Sequence, residues 1–287
     1  MPGQWRLSLD VAQGTFRTSH VAECPDVAPE CETTIIPAHL HRAAVELTHV
    51  ETTISYGIRE RMQLSLRVPY DVKAMTIGYE TLDGAPFTPP YGDIHHRTQT
   101  LRGLSDPTLH LDWMPRRGWT FGAGLSLPLG DTVENPIRLG REGKTHQHMQ
   151  FGSGTFRPTL SAQWVRPLDR VTLFARAETR LSLYENDEGF RAPNNVLWSV
   201  GPSIRLGGAT LNPRLQGQVQ TLGKWDDEPD EGDGFTNAGV RLQLALPQYR
   251  GISFAPAVYR EIYSHGHHHE EEFRQGTTWS VSMTRSF

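Results

Sequence analysis

Polar and apolar residues alternate along most of this chain. Between Thr278 and Phe287, Trp279, Val281 and Met283 fall on one side, and Ser280, Ser282, Thr284 and Ser286 on the other. The pattern recurs at Leu211–Gln220, where Leu211, Leu215 and Val219 oppose Asn212, Arg214, Gln216, Gln218 and Gln220. In Val171–Ser182 an apolar row (Val171, Leu173, Ala175, Ala177, Leu181) opposes Arg176, Glu178 and Arg180. A period of two is that of a β-strand with unlike faces. Twelve such strands are predicted, near Gln4–Phe16, Val45–Gly57, Met62–Thr76, Pro107–Met114, Trp119–Gly130, Phe156–Pro167, Val171–Tyr184, Val196–Leu206, Ala209–Leu222, Thr236–Pro247, Ile252–Tyr263 and Thr277–Phe287. Short turns at Ile58–Arg61, Pro115–Gly118, Leu168–Arg170, Gly207–Gly208 and Gln248–Gly251 alternate with six long links.

Alternation alone does not separate a soluble sandwich, apolar inside, from a membrane barrel, apolar outside. The aromatic residues do. Trp5, Tyr56, Trp113, Trp119, Trp164, Tyr249 and Phe287 all lie close to strand ends on the short-turn side. Amphipathic rings gathered at one depth form an interfacial girdle. Short turns on one side and long loops on the other is the asymmetry of outer-membrane barrels. The expected fold is therefore all-β: a transmembrane antiparallel up-and-down β-barrel of about 12 strands. It forms a single domain over residues 1–287 with both termini periplasmic. The terminal Phe287 resembles the assembly signal of that class. Arg285 breaks the outward row and is expected at headgroup level. Prolines inside the strands (Pro69, Pro128, Pro158, Pro202, Pro213, Pro256) each remove a ladder donor, so bulges or curvature are expected there.

Composition agrees. The hydrophobic fraction is 37%, and mean hydropathy is −0.48. No stretch approaches the roughly 20 apolar residues of a membrane helix, and a barrel needs none, because only alternate residues meet lipid. A net charge of −4 and a pI near 6.3 make no electrostatic case for nucleic acid. The expected partners are the lipid bilayer and a small-molecule solute. Met1-Pro2-Gly3 runs straight into a strand without a signal peptide. Export demands one, so the expectation is a mature form behind a start Met or a gene start placed too late. The competing expectation is a cytosolic β-protein. Cys24 and Cys31 bracket a short Pro-rich segment; a loop disulfide, two free thiols and half of a metal site all stand open.

Four segments occur in order: Ile54-Ser-Tyr-Gly-Ile-Arg-Glu-Arg-Met-Gln-Leu-Ser-Leu-Arg-Val-Pro-Tyr70, Gly103-Leu-Ser-Asp-Pro-Thr-Leu109, Leu125-Ser-Leu-Pro-Leu-Gly-Asp131 and Phe151-Gly-Ser-Gly154. Together they resemble the outer-membrane transporter-like family labelled "MetA-pathway of phenol degradation". Its pattern runs Tyr-Gly, turn, Pro-Tyr, then Gly-Leu-Gly-Asp, Leu-Pro-Thr-Gly-Asp and Gly-Ser-Gly. Ser105 stands where that family usually has Gly, and Leu129 where it has Thr. The resemblance covers roughly residues 45–167 by motif. It implies a barrel that passes small molecules, and no catalytic residues.

Of the thirteen histidines, eleven gather in or beside the long links. His20, His39 and His41 fall in or beside the first, His95 and His96 in the second, His146 and His148 (with Met149) in the third. His265, His267, His268 and His269 fall in the last, ahead of Glu270, Glu271 and Glu272. Imidazoles and carboxylates suit Zn²⁺ or Cu²⁺, so His265, His267, His268, His269, His146 and His148 are candidate ligands, against the plainer reading of a solvated loop. The acidic run Asp226–Asp233 reads as a solvated tip rather than a Ca²⁺ site. The inward rows carry Arg6, Asp10, Glu51, Arg67, His110, Asp112, Arg176, Glu178, Arg180, Arg205, Arg214 and Arg241 as candidate lumen-lining residues. Arginines outnumber acids, which suits anionic or polar solutes. No nucleophile elbow, His-Glu-x-x-His or phosphate-cradling glycine motif occurs. The expectation is a non-enzymatic outer-membrane channel for small, anionic or aromatic solutes that requires no cofactor. The alternative is a non-transporting barrel that binds metal or a partner protein through its loops.

Overall fold

The computed structural model describes residues 2–22, 36–90, 97–230, 234–267 and 274–287. Twelve antiparallel strands form one closed barrel. They are β1 Trp5–Ala22, β2 His39–Arg59, β3 Met62–Thr81, β4 Thr108–Arg116, β5 Trp119–Ser126, β6 Arg157–Pro167, β7 Val171–Arg180, β8 Asn195–Leu206, β9 Ala209–Gln220, β10 Phe235–Ala245, β11 Ile252–Gly266 and β12 Thr278–Ser286. Each pairs with its chain neighbours, and β1 closes the ring by pairing with β2 from Trp5↔Tyr56 upward and with β12 from Arg6↔Ser286 upward. Closure is what a lipid environment demands, because an unpaired strand edge there leaves N–H and C=O groups unmet.

The registers sort the side chains. Leu215 lies level with Val200 on one side and Val240 on the other, and all three are exposed on the outer face. One residue on, Gln216 lies level with Ser199 and Gly239 on the inner face. The aromatic girdle forms at the short-turn end: Trp5 packs on Tyr56 with ring centroids 4.7 Å apart. Trp119 lies level with Trp164, and Phe287 donates its N–H to the Trp5 carbonyl at 2.9 Å.

Three strands outgrow the rest. β1, β2 and β3 run for 18, 21 and 20 residues. Their upper ends carry His20, His39 and His41, so these histidines stand in paired strands rather than in or beside a loop, with His20 level with His41. Alternation stops near Phe16 because above the lipid neither face must be apolar, and a strand there leaves no period-two signature. The upper part of β3 is flanked by a separate short strand, Gln99–Leu104, while its lower part pairs with β4. The break between them holds Ser105, Asp106 and Pro107.

Pro69, Pro158, Pro202, Pro213 and Pro256 lie inside strands, whereas Pro128 follows the end of β5. Pro202 and Pro213 fall together in the gap of the β8–β9 ladder between Val200↔Leu215 and Ile204↔Leu211. Arg214 fills that gap from the inside. Its guanidinium donates to the carbonyls of Pro202 and Pro213 and, at 2.7 Å, to the Ser203 hydroxyl, and it lies 4.8 Å over the Phe174 ring. The inner wall along β5 is thinned by Gly124, where an added Cβ would come within 2.5 Å of the Leu109 carbonyl and 2.6 Å of the His110 ring.

The sidedness of the barrel is testable. Leu215→Arg places a charge on the outer face and is expected to cost about 2–4 kcal/mol. Gln216→Arg, one residue away on the inner face, is expected to be near neutral. Urea titration of the heat-modifiable band in lipid vesicles reads both, and equal costs would contradict the assignment of faces.

Candidate functional site

Described residues line two cavities inside the barrel. The larger, about 540 Å³, occupies the middle of the lumen and is lined by residues of the inward rows, among them Asp10, Arg67, Arg176, Glu178, Gln216 and Arg241. The second, about 430 Å³, lies toward the long-loop end, with Glu51, Asp71, Lys73, Arg157 and Arg180 on its strand side. Charged side chains stand between the two. Arg67 donates to Glu178 at 2.7 Å, and Arg176 holds the other oxygen of Glu178 at 2.6 Å. Three strands separate β3 from β7 in the wall, so the Arg67–Glu178 pair spans the lumen as a chord. Glu178 is buried and doubly paired, the condition under which an interior carboxylate stays charged.

The other sequence-predicted lumen residues divide by height. Arg6 and Arg205 are exposed near the short-turn mouth. Asp10 accepts from the Ser282 hydroxyl across the β1–β12 seam. His110 is buried between the hydroxyls of Thr159 and Ser161, at 3.2 and 3.1 Å, with Asp112 at 3.4 Å. Arg214 is tied to the wall at the proline gap, level with Arg241. Glu51 and Arg180 belong to the second cavity.

A cap closes that cavity from above, and most of it comes from residues 127–156. This insertion contains one short helix, α1 Pro136–Arg141, started by Asn135, whose side chain accepts the Arg138 N–H at 3.0 Å. The same Asn135 donates to Asp226 at 2.7 Å, which joins it to another loop. Phe190–Arg191, Gly223–Trp225 and Glu228–Asp230 form a small separate sheet. Phe190 packs on Trp225 with centroids 4.5 Å apart and the rings tilted at 38°, and Val133 and Ile137 pack against them. The cap therefore has its own apolar core, fed by three loops.

One carboxylate fastens the cap to the barrel. Asp106, buried in the break beside β3, accepts the Gly130 N–H at 2.9 Å, the Ser153 N–H at 2.8 Å and the Ser153 hydroxyl at 2.7 Å. Those donors sit at the two stems of the 127–156 insertion. Nearby, the Phe151 and Gly152 N–H groups donate to the Asp131 carbonyl at 3.0 and 2.9 Å. Gly130 and Gly152 approach so closely that a Cβ on Gly130 would lie 2.7 Å from the Gly152 Cα. The segments Gly103–Leu109, Leu125–Asp131 and Phe151–Gly154, each unremarkable alone, meet at this node. Asp106, Asp71, Lys73 and Arg157 are not among the lumen residues expected from alternation; of the four, only Asp106 falls within a motif segment, and that motif is the signal that points to it.

The described histidines expected to ligate metal stand in two pairs, His146 with His148 at 5.4 Å and His265 with His267 at 6.4 Å between ring centroids. His265 is in β11, level with Thr236, and His267 meets the Thr236 hydroxyl at 3.0 Å. His146 is buried in the cap with its Nδ1 on the Lys144 carbonyl at 2.8 Å, and His148 stands 4.0 Å from Asp230. Among the described residues no group of three or more His, Cys, Asp and Glu side chains is arranged to hold a metal ion. His268 and His269, and the Cys24–Cys31 pair, lie outside the described residues.

No family model matches the chain, and no curated protein matches it. Solved structures do. The chain superposes on an outer-membrane channel from Pseudomonas putida F1 with a TM-score of 0.61 at 10% identity, covering 100% of this chain and 96% of that one. A deletion mutant of the monoaromatic hydrocarbon channel TodX gives a TM-score of 0.50 at 10% identity, covering 100% of this chain and 91% of that one. At such identity the likeness is one of fold. Together with the closed ring and outward apolar rows, it defines a closed twelve-stranded antiparallel β-barrel with the fold of those outer-membrane proteins.

Two substitutions test the anchors. Asp106→Ala strips three hydrogen bonds from the cap stems; protease nicking within residues 127–156 should accelerate at least about tenfold, equivalent to about 1.4 kcal/mol of lost local stability, while the barrel stays heat-modifiable. Arg214→Met leaves the carbonyls at the proline gap without that donor and should cost about 1–3 kcal/mol by urea titration. A silent Arg214→Met would show that water serves those carbonyls equally well.

Proposed function

We propose that this barrel is a passive channel carrying small solutes across the outer membrane, both termini in the periplasm and residues 1–287 acting as one domain. The observation that carries the reading is the pair of cavities stacked inside one closed barrel, each lined in part by charged side chains. A barrel that served only as a scaffold could fill its interior with packed side chains. Here the interior keeps space and charge, and ion pairs at this depth need either exact partners or water.

The inward residues Arg67, Arg176, Glu178 and Arg241 line the solute path, with Asp10 and Arg180 at its two levels. Small single-ring aromatic or anionic molecules suit its dimensions and its excess of arginine. Two further points support that class. One protein of the same fold is a monoaromatic hydrocarbon channel by name. The four motif segments resemble the phenol-degradation family, and three of them build the cap anchor. The histidines play no part in the reading.

Planar-bilayer recording tests it. The wild-type barrel should show discrete conductance steps, and Arg67→Ala combined with Glu178→Ala should raise the step size by removing the crossing. A wild type and a double variant that are both silent, though folded, would refute the channel and favour a barrel that only binds.

A further inference from the structure

The cavity beneath the cap has the features of a ligand site as well as those of a passage. It is about 430 Å³, within the range of sites that enclose small molecules. One side is aromatic: Phe151 and Phe190 both line it. The other side carries Arg180. Among the described residues, the Arg180 Nε is buried and donates to nothing, and no carboxylate forms an ion pair with the guanidinium. A buried N–H with no acceptor costs on the order of 1–3 kcal/mol, so an acceptor arriving in the cavity is favoured.

The carboxylates on the wall are differently placed. Asp71 is held by His49 at 2.7 Å and by the Ser105 hydroxyl. Asp106 is spent on the cap stems. Neither is available to Arg180. Glu51 is the third, and it accepts a 3.5 Å hydrogen bond from the Thr53 hydroxyl. It adds a negative charge that an anionic occupant must avoid, which fixes the direction in which such an occupant lies.

We propose that the space under the cap binds a small single-ring carboxylate, Arg180 receiving the carboxylate and the ring lying against the side formed by Phe151 and Phe190. A guanidinium and a carboxylate match as a two-pronged pair, and the shape of the fork selects a planar acid over an alcohol of equal size. This assignment rests on the channel reading for its biological sense, but its chemistry stands on the cavity alone.

Isothermal titration of benzoate into detergent-folded full-length barrel at neutral pH tests it, with benzyl alcohol as the uncharged probe. The wild type should bind benzoate saturably and more tightly than benzyl alcohol. Arg180→Gln should weaken benzoate by about tenfold to a hundredfold, the loss of one charge-assisted contact. Glu51→Gln should tighten it. Either variant should change benzyl alcohol binding much less than it changes benzoate binding. Heat-modifiability confirms folding, and Arg180→Lys, which keeps the charge but not the fork, should fall between wild type and Arg180→Gln. The proposal is overturned if benzoate fails to saturate the wild type, if the alcohol binds as well as the acid, or if Arg180→Gln leaves affinity unchanged. Binding without conductance would keep this site and remove the channel; conductance without binding would do the reverse.

Discussion

Every feature of this molecule depends on the closure of its ladder. A strand edge in hydrocarbon leaves backbone groups unmet, at a cost of several kcal/mol each. The seam between β1 and β12, from Arg6↔Ser286 to Gln13↔Trp279, removes the last edge. Once the ring is closed, inward and outward faces follow from register, and the polar rows acquire an interior to line. The proline gap between β8 and β9 shows how strict the demand is: where two residues lack N–H donors, a side chain from within, Arg214, supplies them. A residue that looks like part of the pore wall is thereby also part of the backbone's hydrogen bonding.

Above the lipid a different rule operates. The long upper ends of β1–β3 and the insertion over residues 127–156 are held by polar contacts rather than by a bilayer. Asp106 concentrates those contacts. Its two oxygens take three donors from both stems of the insertion, and charge-assisted bonds of this kind are about twice as strong as neutral ones. The apolar cluster of Phe190, Trp225, Val133 and Ile137 then gives the cap rigidity of its own. Between cap and lumen, the Arg67–Glu178–Arg176 group is stabilised by mutual pairing, so the constriction is electrostatic rather than a packed apolar plug.

The barrel could be read from the chain because lipid imposes a two-residue period. All twelve predicted strands are present, and the girdle from Trp5 to Phe287 lies at the expected end. What stayed hidden lies outside the bilayer. His20, His39 and His41 were assigned to a loop and its margin because their stretch does not alternate, although it is strand. The cap was invisible because its core joins Val133, Phe190 and Trp225 across long separations. Among the charged residues, alternation found Arg67, Glu178 and Arg180 but not that the first two touch, since that contact crosses the lumen between strands far apart in sequence. Asp106 falls within the motif Gly103–Leu109, and only the fold shows that it fastens the stems of the insertion.

The three-loop origin of the cap also sets an order of events. Val133, Phe190 and Trp225 come from the links after β5, β7 and β9. They can meet only when those strands already stand in register, so the cap cannot be an early nucleus of assembly. It condenses late, on a wall already built. A barrel misregistered anywhere from β5 to β9 would carry these residues unburied at its rim. The cap thus doubles as a mark of completed construction.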